Sequence, residues 1–118
     1  MPHPVEIKVH QVSRVLEIAF DSGSVFRLPF EYLRVYSPSA EVRGHGPGQE
    51  VLQAGKKDVG VAKLEPVGNY AIQIHFSDGH NTGIYSWDYL YELGEKQTAW
   101  WNTYLQRLQQ AGVSREAK

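Results

Sequence analysis

The residues with the clearest potential for chemistry are Asp78 and His80, which lie two positions apart in a polar turn. A carboxylate and an imidazole held together could bind a metal ion or move a proton. On an extended chain the preceding His75 and Asp78 point to opposite faces, so a turn at Gly79 is needed to bring Asp78 and His80 together. The alternative is structural: Asp78 forms the turn through its own backbone, and His80 packs beside Trp87.

No complete catalytic constellation is visible in the rest of the chain. The glycine-rich run at 44–48 lacks the Gly-Lys-Ser/Thr ending of a phosphate-binding loop, and Pro47 removes one backbone donor. Serines and histidines are present, but no Gly-x-Ser-x-Gly elbow positions a nucleophile. We therefore predict that the protein is not an enzyme and that it has no catalytic residues.

Composition narrows the class of protein further. The 118 residues, 42% of them hydrophobic, predict one domain over 1–118 with a core that needs no metal or disulfide. The absence of cysteine excludes thiolate chemistry and every cysteine-based metal site. A net charge of −1 does not favour nucleic acid or an anionic membrane. Without an apolar run of about 18 residues or a signal peptide, a cytoplasmic protein is expected.

Hydrophobic periodicity predicts an α+β fold that begins with strands. Alternating apolar residues at 5–9, 16–20 and 25–28 indicate an antiparallel three-stranded meander. Pro29 can open a short helix, and Pro38 should end it. We predict an irregular loop over about residues 37–58.

The second half of the chain is predicted to hold two further strands and two C-terminal helices. The strand that ends at Phe76 should bury four apolar side chains. Ser86 is a good N-cap for the first helix and Gly94 a plausible C-terminal cap. The last helix should run from about 95 to 111 and be closed by Gly112, with residues 112–118 as a frayed tail. The predicted apolar face of the strand comprises Tyr70, Ile72, Ile74 and Phe76. The side chains that the last helix should bury are Trp101, Tyr104, Leu105 and Leu108, whereas Trp100 should be exposed.

Two segments together resemble a known family. Residues 28–42 contain Leu-Pro, Leu-Arg and Ser-Pro-Ser-x-x-Val, similar to the Leu-Pro, Leu-Arg and Cys-Pro-Cys-x-x-Cys of the gamma-butyrobetaine hydroxylase-like N-terminal domain, also called domain-of-unknown-function family 971. The run Asp78-Gly79-His80-x-x-Gly-x-Tyr85-x-Trp87-x-x-Leu90 resembles the second signature of that family, and the resemblance spans about residues 5–95. It implies a small α+β domain that occurs alone in bacteria. It also occurs fused to 2-oxoglutarate-dependent oxygenases and to ATPases of the iron–sulfur carrier type.

The same resemblance implies a structural zinc held by three cysteines and one histidine. The cysteine positions fall on Ser37, Ser39 and Val42, and the histidine falls on His80. Neutral hydroxyls are poor zinc ligands and valine is none, so we expect the zinc site to be degenerate and no cofactor to be bound. His80 should then hydrogen-bond the segment around Ser37 and Ser39, which would dock the long loop against the Asp78 turn.

We therefore predict a small non-catalytic binding or accessory module with an unknown protein partner. It should be a monomer or weak dimer, and it should bind neither nucleic acid nor membrane. The alternative is a zinc- or iron-binding protein that uses His80 with His45 or Asp78 and is linked to iron–sulfur or oxygenase systems. The candidate contact surface consists of Arg34, His45, Asp78, His80 and Trp100.

Overall fold

Two three-stranded antiparallel sheets and the helices packed against them form the fold of this protein, seen in a computed structural model that describes residues 2–44 and 50–116. The α+β class predicted from the sequence is confirmed. In chain order the elements are β1 (Pro4–His10), β2 (Val15–Phe20), β3 (Val25–Pro29), α1 (Phe30–Val35), α2 (Ala40–Arg43), β4 (Val61–Val67), β5 (Ala71–Phe76), β6 (Ile84–Ser86), α3 (Trp87–Glu95) and α4 (Gln97–Ala111).

The N-terminal sheet is the meander that the alternating pattern predicts. Its strands lie in the order β1-β2-β3, and both pairings are antiparallel. Leu16, Ile18 and Phe20 point to the same face of β2 and are buried, because successive side chains of a strand alternate between faces. Gly23 has a φ of +94° in the turn between β2 and β3, which glycine adopts without steric cost.

The second sheet has the order β4-β5-β6, and its third strand was not predicted. β6 has only three residues, which is too short for a period of two to be recognised in the sequence. Ile72, Ile74 and Phe76 of β5 are buried as expected. The prediction for Tyr70 is wrong: this residue lies in the turn before β5, and its side chain is 57% exposed.

One core joins the two sheets, and α1 lies within it. All six residues of α1 are buried, including Glu31 and Arg34, so this short helix is enclosed on every side. Burial of its polar side chains requires partners, which are described below. The core contains Leu16, Ile18, Phe20, Leu28, Phe30, Tyr32, Leu33, Val59, Val61, Ile72, Ile74, Phe76, Tyr85, Leu90 and Leu93.

The predicted helix ends are partly confirmed. Ser86 caps α3, since its Oγ accepts a hydrogen bond from the backbone N–H of Tyr89 at 3.1 Å. Gly112 closes α4 in the left-handed conformation with φ +68°. Gly94 is not a cap: it lies inside α3, where a Cβ would come within 2.3 Å of the Phe26 ring. Gly94 therefore serves the close approach of α3 to the N-terminal sheet.

Only part of the apolar stripe predicted for the last helix is buried against the rest of the protein. Tyr104 and Leu108 are buried and pack with Val35 in a second, smaller core. Trp101 is partly buried against both cores, but Leu105 is 36% exposed. The expectation that Leu105 is buried is therefore wrong, because only Tyr104, Leu108 and part of Trp101 from the predicted stripe pack against the two cores.

The described part of the tail that was predicted to be frayed forms backbone hydrogen bonds with another segment of the chain. The N–H of Gly55 donates to the carbonyl of Ser114 at 2.9 Å, and the N–H of Lys57 donates to that of Arg115 at 3.0 Å. Residues 113–116 thus lie along the segment that precedes β4. This pairing joins parts of the chain about sixty residues apart, which no local pattern encodes.

Candidate functional site

His80 lies at the centre of a group of polar side chains, which we call the His80 cluster: Ser37, Ser39, Glu41, His80 and Thr82. Ser37, Ser39 and His80 are buried, whereas Glu41 and Thr82 are exposed. Its Nε2 is 2.8 Å from Ser37 Oγ, and its Nδ1 is 2.9 Å from Glu41 Oε2. Only 7% of His80 is exposed. The hydrogen bond expected between His80 and the segment around Ser37 is thus present, and the segment docks against the turn.

Ser39 and Thr82 make the second connection between the two segments. Their hydroxyl oxygens are 2.6 Å apart, and Ser39 Oγ also accepts from the backbone N–H of Glu41 as the N-cap of α2. This short helix lies within the stretch predicted to be an irregular loop. Val42 follows in α2 with 7% of its surface exposed. Sequence reasoning missed Glu41 and Thr82, although Glu41 stands where an N-capped first turn favours an acidic residue.

The hydrogen bonds of His80 are consistent with a neutral ring. Burial lowers the pKa of His80, and the nearby Arg34 guanidinium lowers it further, while Glu41 acts in the opposite direction. In the tautomer that satisfies both contacts, Nδ1–H donates to Glu41 and the Ser37 hydroxyl donates to Nε2. Both ring nitrogens are therefore engaged within the protein.

The order Ser37, His80, Glu41 is that of a serine–histidine–acid triad, but the serine is inaccessible. Ser37 is fully buried, with 0% of its surface exposed. Gly83 covers it so closely that a Cβ there would lie 2.4 Å from Ser37 Oγ. A nucleophile must reach the substrate carbonyl, so this arrangement holds the fold together and presents no reactive hydroxyl.

Asp78 forms an ion-pair network with Arg34 and Lys56. Its Oδ2 accepts from Arg34 Nε at 2.9 Å and from Lys56 Nζ at 2.7 Å, and its Oδ1 accepts from the backbone N–H of His80 at 3.1 Å. Burial would raise the pKa of Asp78, but the hydrogen bonds from Lys56, from the His80 backbone and from Arg34 outweigh burial and lower it to about 2.

The candidate contact surface is not continuous in the structure. Arg34 is 6% exposed and His80 is 7% exposed, so these two side chains present little surface to a partner. Both are covered because the segment around Ser37 and the Asp78 turn pack together over them. Trp100 belongs to a different site in α4, where it is partly buried and stacks on Tyr36 with ring centroids 5.3 Å apart. His45 lies outside the described residues.

Asp78 and the His80 imidazole do not face each other in the structure. The nearest contact of Asp78 with His80 is to its backbone N–H, and the other carboxylate oxygen is held by two cations. Among residues 2–44 and 50–116, no three histidine, aspartate or glutamate side chains come together in a way that could hold a metal ion. The alternative with His45 falls on a residue that the structure does not describe.

The lowered pKa of His80 predicts a pH dependence of stability. The unfolded chain binds a proton near the ordinary histidine pKa of 6.5, whereas the folded protein resists protonation. The free energy of unfolding should therefore fall as the pH drops below about 6.5. Urea denaturation of wild type and His80→Gln between about pH 7 and pH 5 measures this, and the variant should have the flatter profile. His10→Gln, at a partly exposed position in β1, serves as the control, and an unchanged slope in His80→Gln would contradict a neutral buried ring.

Together, fold and site define a small α+β domain whose two halves are joined by the His80 cluster and by the ion pair of Arg34 with Asp78. In sequence, the family described as gamma-butyrobetaine hydroxylase-like, N-terminal, matches residues 7–91. The chain belongs to this family, as the two segments in the sequence indicate. No curated protein matches the chain.

Several solved structures are similar to this chain in both fold and sequence. Two proteins determined by NMR in solution are 45% and 50% identical to this chain, with TM-scores of 0.86 and 0.85. The first comparison covers 100% of this chain and 93% of the other, and the second covers 99% and 87%. A crystal structure of a DUF971 family protein of unknown function from Acidithiobacillus ferrooxidans is 44% identical, with a TM-score of 0.66, over 78% of this chain and 92% of that one.

Proposed function

We propose that this protein is a non-catalytic binding module in which the His80 cluster replaces the zinc ion implied by the family resemblance. The observation that carries the proposal is the contact between Ser37 Oγ and His80 Nε2 at 2.8 Å. A zinc ion at these positions would tie the segment around Ser37 to the turn around His80. Hydrogen bonds between the same two segments supply that link in this chain.

The side chains present do not fit a structural zinc. Such sites use four ligands, with thiolate or imidazole donors. Ser37 and Ser39 offer only neutral hydroxyls, and Val42 offers an apolar side chain that is buried. His80 is the single retained ligand, and its Nε2 already has a partner in Ser37.

Binding, rather than catalysis, fits a cluster whose serine is inaccessible. Ser37 is buried and both ring nitrogens of His80 are engaged, so neither side chain presents a nucleophile or base to solvent. The family resemblance implies that related domains are joined to oxygenases or iron–sulfur carrier ATPases, so the domain is proposed to bind a protein of such a system. Among the residues described, no helix is both long and apolar enough to cross a membrane.

Metal analysis tests the proposal directly. Wild-type protein purified without a histidine tag should contain zinc and iron well below one ion per chain. Stoichiometric metal that disappears in His80→Ala would overturn the proposal in favour of the metal-binding alternative. A gain-of-function variant, Ser37→Cys/Ser39→Cys/Val42→Cys, should bind one zinc per chain through three thiolates and His80.

The gain-of-function experiment has a matched control. The same three cysteines in a His80→Ala background lose one ligand, so their zinc affinity should fall by about 10- to 100-fold, measured by competition with a chromophoric chelator. If the triple variant folds but takes up no zinc, the His80 cluster does not occupy the position of the metal.

A further inference from the structure

A cavity of about 450 Å³ lies beside the His80 cluster, and the function proposed above does not use it. Its walls come from the end of α1, from α2, from the segment that follows residue 50, and from α3 and α4. Ser37 and Val42 contribute to the wall nearest the cluster, but the aromatic and charged lining residues belong to other positions. Cavities of this size accommodate small molecules.

Four aromatic side chains line the cavity: Tyr36, Tyr89, Trp100 and Tyr104. The rings of Tyr36 and Trp100 are stacked, with centroids 5.3 Å apart and planes inclined by 29°. The tyrosine hydroxyls are already used within the protein, since Tyr36 donates to the carbonyl of Trp100, Tyr89 to that of Tyr36, and Tyr104 to that of Gln53. The aromatic walls therefore offer ring faces and edges rather than free hydroxyls.

Two arginines, Arg43 and Arg107, line the same cavity. The Arg43 guanidinium lies over the Tyr89 ring, 4.7 Å from its centroid. Neither arginine takes part in any ion pair found between residues of 2–44 and 50–116. Glu50 also lines the cavity, yet it forms no ion pair with either of them within the same residues. The cavity thus combines apolar walls with an excess of positive charge.

We propose that this cavity binds a small organic anion, a carboxylate with a flat apolar body. Guanidinium groups recognise carboxylates through paired, charge-assisted hydrogen bonds, and aromatic walls favour a flat apolar group. A cationic ligand is disfavoured because both arginines would repel it. This proposal stands whether or not the His80 cluster replaces zinc, since its charged and aromatic groups lie outside that cluster.

Two probes of matched shape separate charge from hydrophobic contact: phenylacetate and its neutral amide, phenylacetamide. Titration into ¹⁵N-labelled wild-type protein should give saturable shifts of the Trp100 indole N–H and of the backbone around residues 51–53 with phenylacetate. The amide should bind about tenfold more weakly, because it cannot form charge-assisted hydrogen bonds. Equal affinity for the two probes would overturn the proposal, as would the absence of saturable phenylacetate shifts up to about 10 mM.

Variants locate the site. Arg107→Gln should weaken phenylacetate binding by about tenfold and leave the amide unaffected. Arg43→Gln provides a second test if the first variant fails to fold. Arg27→Gln is the control, since Arg27 lies in β3 and pairs with Glu17 at 2.6 Å. Shifts that map away from Trp100, or phenylacetate affinity that neither cavity variant lowers, would show that the arginines of the cavity do not hold the anion.

Discussion

Replacing Asp78 by alanine is expected to lower the free energy of unfolding by about 3 kcal/mol, because it leaves Arg34 buried without its partner. The Arg34 side chain is 8% exposed and donates from Nε to Asp78 Oδ2 at 2.9 Å. Its Nη1 has no partner among the described residues, so Asp78 supplies the compensation for this guanidinium. The loss should be measured by urea denaturation at neutral pH, where Asp78 is ionised.

Two further variants identify the cause of that loss. Asp58→Ala removes an equally charged residue from an exposed pair with Arg14 and should cost no more than about 1 kcal/mol. Arg34→Met in the Asp78→Ala background should recover most of the stability, since an apolar side chain of similar length removes the unpaired charge. If Asp78→Ala costs no more than Asp58→Ala, the pair does not stabilise the fold.

The same carboxylate predicts an acid dependence at lower pH. The pKa of Asp78 is lowered to about 2 in the folded protein, from 3.8. A lowered pKa of an acid means that its stabilising contribution is complete above its unfolded value and is lost as the pH falls toward the folded one. Because the side chain is partly solvated, that contribution is smaller than the shift alone implies.

Replacing Arg115 by methionine is expected to cost about 2 to 3 kcal/mol, although Arg115 lies in the segment that composition marks as a tail. Arg115 donates from Nε and Nη2 to the two carboxylate oxygens of Glu31, at 2.9 and 2.7 Å. Glu31 is 7% exposed within α1, so its charge would lose its only ion-pair partner among the described residues. The Arg115 guanidinium also lies over the Trp101 ring, 5.2 Å from its centroid.

Matched variants separate this ion pair from the rest of the tail. Glu31→Gln combined with Arg115→Met should restore part of the stability, because no buried charge is then left unpaired. Lys57→Met removes an exposed pair with Glu116 and should leave the stability nearly unchanged. Thermal or urea denaturation compares the stability of these variants with that of wild type. If Arg115→Met is as stable as wild type, the tail does not contribute to stability.

Local sequence patterns determined the elements whose signals lie within a few residues. The strands β1 to β3, the N-cap Ser86 and the closing Gly112 each depend on neighbours one to four positions away, and the structure confirms these elements. The family could be identified from two short segments, because their similarity to a known pattern can be seen without knowledge of the fold.

Tertiary structure alone decided which charged side chains are buried and paired. Arg34 contacts Asp78 over 44 residues of chain, and Glu31 contacts Arg115 over 84. Each pair forms only where packing brings two segments together, and a buried charge then requires that partner. Sequence analysis placed Arg34 on a surface and 112–118 in a frayed tail for this reason: polarity indicates exposure unless a distant residue satisfies the buried group.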